Sequence, residues 1–315
     1  MSSAKRALVA LAAVLLGGCG GSTAAPRANA PSSSPTPSVS STPSGGPVVA
    51  PSGARPTKVL LFVLENHAQS QALASMPYLS SLATRYGRTT SYHAITHPSL
   101  PNYLALVGGS TFGVHDDAAP SAHRLSGESV FDQALAKGLT AKLYAESMPS
   151  NCFQRPAGSY AVKHNPWAYF TGSTQRANCD RNDVPMGTPS AGALANDIAS
   201  GTLPDVAMAI PNLCNDAHDC SLATADNWLR RWVPTVMAGS DYRDGRLAVV
   251  VTFDEDDHGS SNNVLTVVDS SHIAHVASSS PYTHYSWLRC AEDMLGVPAL
   301  GEARTAVSMC PGFLL

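Results

Sequence analysis

Four short apolar runs stand out along the chain, and each ends on a polar group: "KVLLFVLEN" (58–66), "TAKLYAE" (140–146), "PDVAMAIPN" (204–212) and "RLAVVVTFDED" (246–256). They are short, almost continuously apolar and bounded by polar residues, which predicts buried β-strands. Between them, "MPYLSSLATRYG" and "ESVFDQALAKG" predict helices, the second stopped by Gly138. In "ITHPSLPNYLALVGGST", Pro101 suits a first helical position and the glycines an end, so Ser99 is expected just before a helix N-terminus. Strands alternating with helices imply an α/β fold: a mainly parallel central sheet with helices on both faces.

Ligands of such sheets bind beyond the carboxyl ends of the strands. Here those ends carry Glu65-Asn66, Glu146, Asn212 and Asp254-Glu255, so polar groups distant in sequence converge on one edge. The last run ends in consecutive acids, Asp254 to Asp257, which repel one another unless they hold a cation or face water. Clustered carboxylates with Asn suit a hard divalent cation, and His67, His258 and His284 widen the choice to zinc, manganese or iron. Neighbouring residues in a strand point in opposite directions, which favours Asp254 and Glu255 as the pair at the ion. Asp256 and Asp257 are then expected behind it or in solvent.

Ser99 has two readings. At a helix N-terminus, free N–H groups and the positive dipole end favour an anion such as phosphate. A metal held by the strand-end acids would make the hydroxyl a nucleophile, with Asn102 donating to a non-bridging oxygen. The plainer reading is that Ser99 or Thr96 caps the helix, a far more general role.

Composition changes the picture mainly at the chain's start. The 315 residues are 44% hydrophobic and 14% charged with net charge −3, ordinary globular values that give no reason to expect a nucleic-acid partner. Residues 1–18 read as a signal peptide: Lys5 and Arg6, then an apolar stretch too short to span a bilayer. The stretch ends in "LGGCG", which resembles a bacterial lipobox and so implies a lipid-modified Cys19. The Ser/Pro-rich segment 19–56 is expected to be a disordered tether, leaving a globular domain over 57–315. The expected location is the outer face of the cell membrane. Cys152, Cys179, Cys214, Cys220, Cys290 and Cys310 match no zinc motif, and their even number in an exported chain argues for disulfides. Sequence order suggests Cys152–Cys179, Cys214–Cys220 and Cys290–Cys310, among many connectivities that six cysteines allow.

Five segments, in order, resemble the bacterial phosphoesterase family of acid phosphatases and phospholipases C, within the alkaline-phosphatase-like superfamily. They are "LEN", "HPSLPNYLALVGG", "PNLCNDAHDCS…ADNWL", "TFDEDD…NNVLTVV" and "HYSWLRCAEDMLGVPALG". The resemblance spans the domain from Lys58 to about Gly301 and is closer to the phosphatase branch, which includes secreted actinobacterial enzymes acting on phosphoinositides. It implies a divalent metal ion held by Glu65, Asn66, Asp254 and Glu255 beside Ser99, the residue that would form a covalent phospho-enzyme. It further implies that Asn102 steadies the phosphoryl group, that His164 and Asn165 of "KHNPWAYF" contact phosphate, and that His218 of "NDAHD" protonates the leaving oxygen. "DDHGSSNN" departs from the more compact acid-glycine turn of relatives and leaves the role of His258 open.

The remaining histidines His93, His97, His115 and His123 read as surface or supporting groups, His284 as an N-terminal helix residue without chemistry, and the four tryptophans as core or rim. The function expected is metal-dependent hydrolysis of phosphate monoesters through a phosphoserine, on small phosphate esters or phospholipid headgroups. The rivals are a phospholipase C-type phosphodiesterase, a Ser-His-Asp acyl hydrolase (disfavoured because "HPSLP" and "GGST" lack the G-x-S-x-G elbow) and a non-catalytic surface binding protein.

Overall fold

The computed structural model describes residues 55–315. The expectations for the signal peptide, Cys19 and nearly all of the 19–56 tether lie outside them. Of the residues assigned to the tether, the Arg55 guanidinium donates to the Leu315 carbonyl at 3.0 Å and Pro56 is buried.

The strands are β1 (Lys58–Leu64), β2 (Gly87–Thr89), β3 (Tyr92–His93), β4 (Ala141–Ala145), β5 (Asp183–Pro185), β6 (Val206–Ile210), β7 (Leu247–Phe253), β8 (Val267–Asp269), β9 (Val276–Ser278) and β10 (Tyr282–Thr283). Eight of them form one sheet in the order β5-β4-β6-β1-β7-β8-β2-β9, and β10 pairs with β3 in a small ribbon. The pairs β5/β4, β4/β6, β6/β1 and β1/β7 are all parallel. The antiparallel strand β8 then joins this block to β2 and β9. The four apolar runs are β1, β4, β6 and β7, in the interior of the sheet, and β7 is buried at every position. Such strands lie under helices on both faces, which is why they read as unbroken apolar runs.

The helices are α1 (Gln69–Ser75), α2 (Pro77–Arg85), α3 (Ser99–Gly108), α4 (Val130–Ala136), α5 (Ser173–Asn182), α6 (Ala193–Ser200), α7 (Leu222–Ala238), α8 (Ser240–Arg243), α9 (His284–Leu295) and α10 (Cys310–Phe313). They pack in two groups, α1, α2, α6, α7 and α8 in one and α3, α4, α5, α9 and α10 in the other. Trp167, Trp228, Trp232 and Trp287 are all buried, as a core role requires. The cysteines pair as Cys152–Cys179, Cys214–Cys220 and Cys290–Cys310. Among the described residues, no helix is long and apolar enough to cross a membrane.

The start of α3 lies two residues earlier than expected. Pro98 is the N-cap and Ser99 the first helical residue, which puts Pro101 third. All ten residues of α3 are buried, so its N-terminus is delivered into the protein rather than to its surface.

Candidate active site

In-register pairing of β1 with β7 puts Leu64 opposite Phe253, so the residues that follow, Glu65-Asn66 and Asp254-Glu255, leave the sheet side by side. The junction is tied twice. The Asp254 N–H donates to the Leu64 carbonyl at 2.9 Å, and the Asn66 N–H donates to Asp254 Oδ1 at 3.1 Å. Asn66 turns the chain with φ 56, a left-handed conformation that Asn tolerates better than most side chains.

Helix α3 brings its first turn onto this edge. The Ser99 hydroxyl donates to Glu65 Oε2 at 3.1 Å, and Tyr103, one turn on, donates to Glu65 Oε1 at 2.6 Å. Ser99 therefore does not cap the helix. The carboxylate of Asp117 does that work, accepting from the Leu100 N–H at 2.9 Å. Thr96 is no cap either, since its hydroxyl donates to the His97 carbonyl. The Asn102 amide donates to Glu255 Oε2 at 3.0 Å and to the Thr96 carbonyl at 2.7 Å, while its oxygen accepts from the Ile95 and Thr96 N–H groups. Asn102 thus clamps the 95–98 loop against Glu255.

The third contribution comes from the loops after β4 and β6. Glu146 and Asn212, the strand-end polar groups of β4 and β6, sit outside the acid cluster and organise it from behind. Glu146 accepts from the Asn212 N–H, the Asn215 amide and the Trp228 indole. Asn212 Oδ1 accepts from the Cys214 and Asn215 N–H groups. The Cys214–Cys220 disulfide closes the same loop, which carries Asp216 and His218. His164 lies buried between the two halves, with Nε2 3.1 Å from Glu65 Oε1, Nδ1 3.3 Å from Asp216 Oδ2, and its ring stacked on Tyr103. His218 Nδ1 contacts Asp219 Oδ1 at 2.7 Å, and its Nε2 lies 3.3 Å from Lys163 Nζ. Lys163 in turn donates to Asp117 Oδ2 at 2.9 Å.

Among the described residues, the predicted site residue Asn165 has its side chain committed elsewhere. Its amide donates to Asp183 Oδ2 at 2.7 Å and to the Tyr160 hydroxyl at 3.0 Å, so it braces the loop that presents His164. Asp256 and Asp257 also part company. Asp256 is buried and accepts from the N–H groups of His258, Ser260 and Asn262, organising the turn over 256–262. Asp257 reaches the Gln71 amide at the surface.

Among the histidines, His97 is closer to the chemistry than a surface role would put it, 3.3 Å from both Glu255 Oε2 and Asp256 Oδ1, with its ring tilted against that of His258. His67 packs edge-on against Phe253. His284 is buried at the first position of α9, with Nε2 2.6 Å from the Asp254 carbonyl oxygen and Nδ1 3.0 Å from the Tyr92 hydroxyl. It is a positioning residue. Tyr103, Asp117, Lys163 and Asp216 complete the cluster without having been singled out as site residues in the sequence, although Asp216 lies within "NDAHD" and Lys163 begins "KHNPW".

Electrostatically the cluster is acid-heavy. Burial, then the charges of Asp254 and Asp216, push the Glu65 carboxyl well above the usual range. Burial raises Asp254 and Asp216 to about 7, and burial with the Asp254 charge raises Glu255 to about 9. Burial holds His164 neutral, its proton affinity lowered well below the ordinary imidazole value. Burial alone would also lower Lys163, but Asp117 and Glu65 outweigh it and keep the ammonium charged. One fixed cation among these carboxylates leaves them dependent on protons or a metal ion for balance.

Three observations fit a divalent cation. Ligand atoms of Glu65, His164 and His218 lie within 4.8 Å of one another. Asp254 Oδ2 and both His164 ring nitrogens are buried without an aligned hydrogen-bond partner. Carboxylate oxygens mixed with imidazole nitrogens suit a divalent metal from magnesium to zinc. A second grouping, Cys152, Cys179 and Asp183, is not available to a metal because its two sulfurs are joined as a disulfide.

The chain is 32% identical over 251 residues to a phosphatidylinositol-3-phosphatase of Mycobacterium tuberculosis, covering 79% of this chain and 80% of that one. It is 30% identical to an acid phosphatase of Aspergillus fumigatus, covering 68% of this chain but only 49% of the fungal protein. A crystal structure of an alkaline phosphatase superfamily protein from Vibrio parahaemolyticus shares the fold, with TM-score 0.55 and 10% identity over 81% of this chain and 71% of that chain. A lipoteichoic acid synthase, LtaP, from Listeria monocytogenes does so too, with TM-score 0.52 and 8% identity over 81% and 77%. The profile of the Phosphoesterase family matches residues 62–298, the span that carries every strand end and loop described above, and the chain belongs to that family.

Proposed function

We propose that the chain hydrolyses phosphate monoesters in two steps, through a phosphoserine on Ser99. Family membership and phosphatase relatives make it a phosphoric ester hydrolase; the finer reading rests on the site. Its single strongest support is the Ser99 hydroxyl, placed at the buried start of α3 and directed at Glu65 beside Asp254.

A divalent cation held by Glu65, Asn66, Asp254 and Glu255, with His164 and His218 alongside, would lower the pKa of the hydroxyl and polarise a phosphoryl oxygen. The chain's own groups do the rest. Ser99 Oγ attacks phosphorus in line and passes its proton to Glu65 Oε2, the acceptor it already faces. His218 gives a proton to the departing alcohol oxygen, later takes one from the attacking water, and Glu65 returns its proton to Ser99 as the phosphoserine breaks. Lys163 faces the spread negative charge of the phosphoryl oxygens, where fixed positive potential supplies much of the catalysis. Asn102 keeps Glu255 and the 95–98 loop in place, and its amide meets a phosphoryl oxygen only by releasing one of its present acceptors.

The expected substrates are small phosphate esters or phosphoinositide headgroups, and the expected setting is outside the cell membrane with Cys19 lipidated. Three disulfides suit such an oxidising compartment.

The test is intact-mass analysis of metal-loaded protein quenched in acid during turnover of p-nitrophenyl phosphate. A phosphate adduct on the Ser99 peptide, lost in the Ser99→Ala variant, supports the reading. Turnover without the adduct and unaffected by Ser99→Ala overturns it. Faster cleavage of p-nitrophenylphosphorylcholine than of the monoester would replace it with a phosphodiesterase.

A further inference from the structure

Asp117 holds two donors that a phosphoryl group at Ser99 also calls for. Its Oδ1 accepts from the Leu100 N–H at 2.9 Å, and its Oδ2 accepts from Lys163 Nζ at 2.9 Å. Leu100 directly follows Ser99 at the start of α3, and the next residue, Pro101, has no N–H. Leu100 therefore supplies a helix-end donor beside the nucleophile, of the kind that binds anions. Lys163 is the ammonium that faces the phosphoryl oxygens in the reading above. The carboxylate of Asp117 thus sits on both groups as an anion would. Its charge is also felt in the acid cluster: after burial and the Asp254 charge, it is among the causes that raise Glu255 to about 9.

The loop that carries Asp117 is tied on either side of it. The Val114 N–H donates to the Thr111 carbonyl at 2.9 Å, and the Tyr169 hydroxyl donates to the Ala118 carbonyl at 3.0 Å. Between these ties, residues 115–117 make no backbone hydrogen bond among the described residues. Asp117 is held by its carboxylate alone, so moving that group away breaks no backbone contact of its own.

We propose that Asp117 is an internal competitor for phosphate: its carboxylate yields the Leu100 N–H and Lys163 when a phosphoryl group binds, and takes them back as inorganic phosphate leaves. The proposal rests on the reading of Ser99 as the nucleophile. Lys163 has three donors and can turn to serve both anions, but the Leu100 N–H is a single donor, so the exchange is forced there. A carboxylate left beside a phosphate dianion also repels it. The competitor weakens binding of the phosphoryl group and favours release of the product, because two charge-assisted hydrogen bonds re-form as phosphate departs.

The experiment titrates inorganic phosphate into the full, metal-loaded chain by calorimetry. Asp117→Asn keeps one oxygen for the Leu100 N–H but removes the charge and the acceptor that engages Lys163. It is expected to bind phosphate about tenfold more tightly than the wild type, equivalent to about 1.4 kcal/mol. Asp117→Ser, whose hydroxyl can still cap the helix, repeats the measurement should the first variant fold poorly. Asp116→Asn is the control, because it removes an equal charge one residue away from a carboxylate that meets His123 and the Ala118 N–H instead. That charge is exposed and screened, so phosphate affinity is expected to stay within about twofold of the wild type.

Tighter phosphate binding confined to the Asp117 variants supports the competitor. Unchanged or weaker binding in them overturns it and leaves Asp117 as the group that holds Lys163 in place. An equal gain in Asp116→Asn also overturns it, by reducing the effect to net charge. If the gain appears but no phosphate monoester turns over, the monoesterase reading fails and the competition for phosphate stands. If a phosphoserine forms on Ser99 and there is no gain, the competitor alone fails.

Discussion

The Ser99 hydroxyl meets Glu65 Oε2 at 3.1 Å, although 34 positions separate the two residues in sequence. The contact joins the start of α3 to the end of β1. It also leaves Ser99 with no capping duty, since Asp117 serves the helix end. Ser99→Ala is therefore expected to fold normally, with its melting temperature little changed, while phosphatase turnover falls by roughly a thousandfold or more. Steady-state kinetics with thermal unfolding on the same preparation checks both halves. A large loss of stability would return Ser99 to a structural role.

The charge balance of the cluster leads to an expectation of metal dependence. Chelation is expected to abolish turnover and lower the melting temperature, and a divalent cation is expected to restore both. A ligand at a hundred times its Kd stabilises the folded state by about 2.7 kcal/mol. Asp254→Asn keeps an oxygen for the Asn66 N–H but removes a buried charge, so the thermal shift on adding metal should shrink sharply. Elemental analysis and thermal scans of wild type and variant decide it. Undiminished metal content in Asp254→Asn would remove Asp254 from the ligand set.

Tyr103 supports the same site from one turn further along α3. Its hydroxyl donates to Glu65 Oε1 at 2.6 Å, and its ring stacks on His164. Tyr103→Phe keeps the stack and removes the donor. Groups of this kind typically tune metal affinity or activity by about 10- to 100-fold, so a loss in that range is expected with the fold intact. Metal titration of the variant followed by activity provides the measurement, and an unchanged affinity and rate would leave Tyr103 as packing alone.

How far the sequence revealed this arrangement depended on local signal. β1, β4, β6 and β7 were legible because strands covered on both faces leave unbroken apolar runs, and Glu65 and Asp254 because they stand where those runs stop. β5, β8 and β9 are three residues each and too short to leave a pattern. Tyr103 was hidden because a tyrosine in an apolar helix reads as core, and only the fold aims its hydroxyl at a carboxylate. Asp117 and Lys163 meet across loops 46 residues apart, a pairing that periodicity does not encode. Asn165 misleads for a related reason: it neighbours His164 in sequence, but the short 3-10 turn of 162–164 ends before it and its amide goes to Asp183.

That Asn165–Asp183 contact carries a pH prediction away from the proposed metal ligands. Asp183 is fully buried, and burial raises its carboxyl from the usual 3.8 to about 7. The folded state therefore binds this proton more tightly than the unfolded chain does. Its stabilising contribution is complete below about pH 4. It fades as pH rises towards 7 and is absent above, a change of several kcal/mol in order of magnitude. Asp183 Oδ1 and Asn165 Oδ1 both lack hydrogen-bond partners, so an amide at 183 can donate where the protonated acid would. Asp183→Asn is expected to be the more stable protein at pH 7.5 and to lose this part of the slope between pH 4.5 and 7.5. Urea unfolding at both pH values tests the sign directly, and a steeper slope in the variant would contradict it.

His218 is the group whose role kinetics can best separate from metal binding. It sits half-buried at the rim, with Nδ1 on Asp219 and Nε2 towards Lys163. A proton donor to the leaving oxygen matters little for p-nitrophenolate, which departs readily as an anion, and much for an alkoxide. His218→Asn is therefore expected to slow alkyl phosphates by roughly 10²- to 10⁴-fold while slowing p-nitrophenyl phosphate far less. If His218 were needed mainly to hold the cation, both substrates would slow alike, metal content would fall, and excess metal would restore the rate. The Cys214–Cys220 disulfide offers a matched control, since it closes the loop that presents His218. Cys214→Ser with Cys220→Ser should weaken alkyl ester turnover in the same selective sense but more mildly, because the imidazole remains and only its placement is loosened.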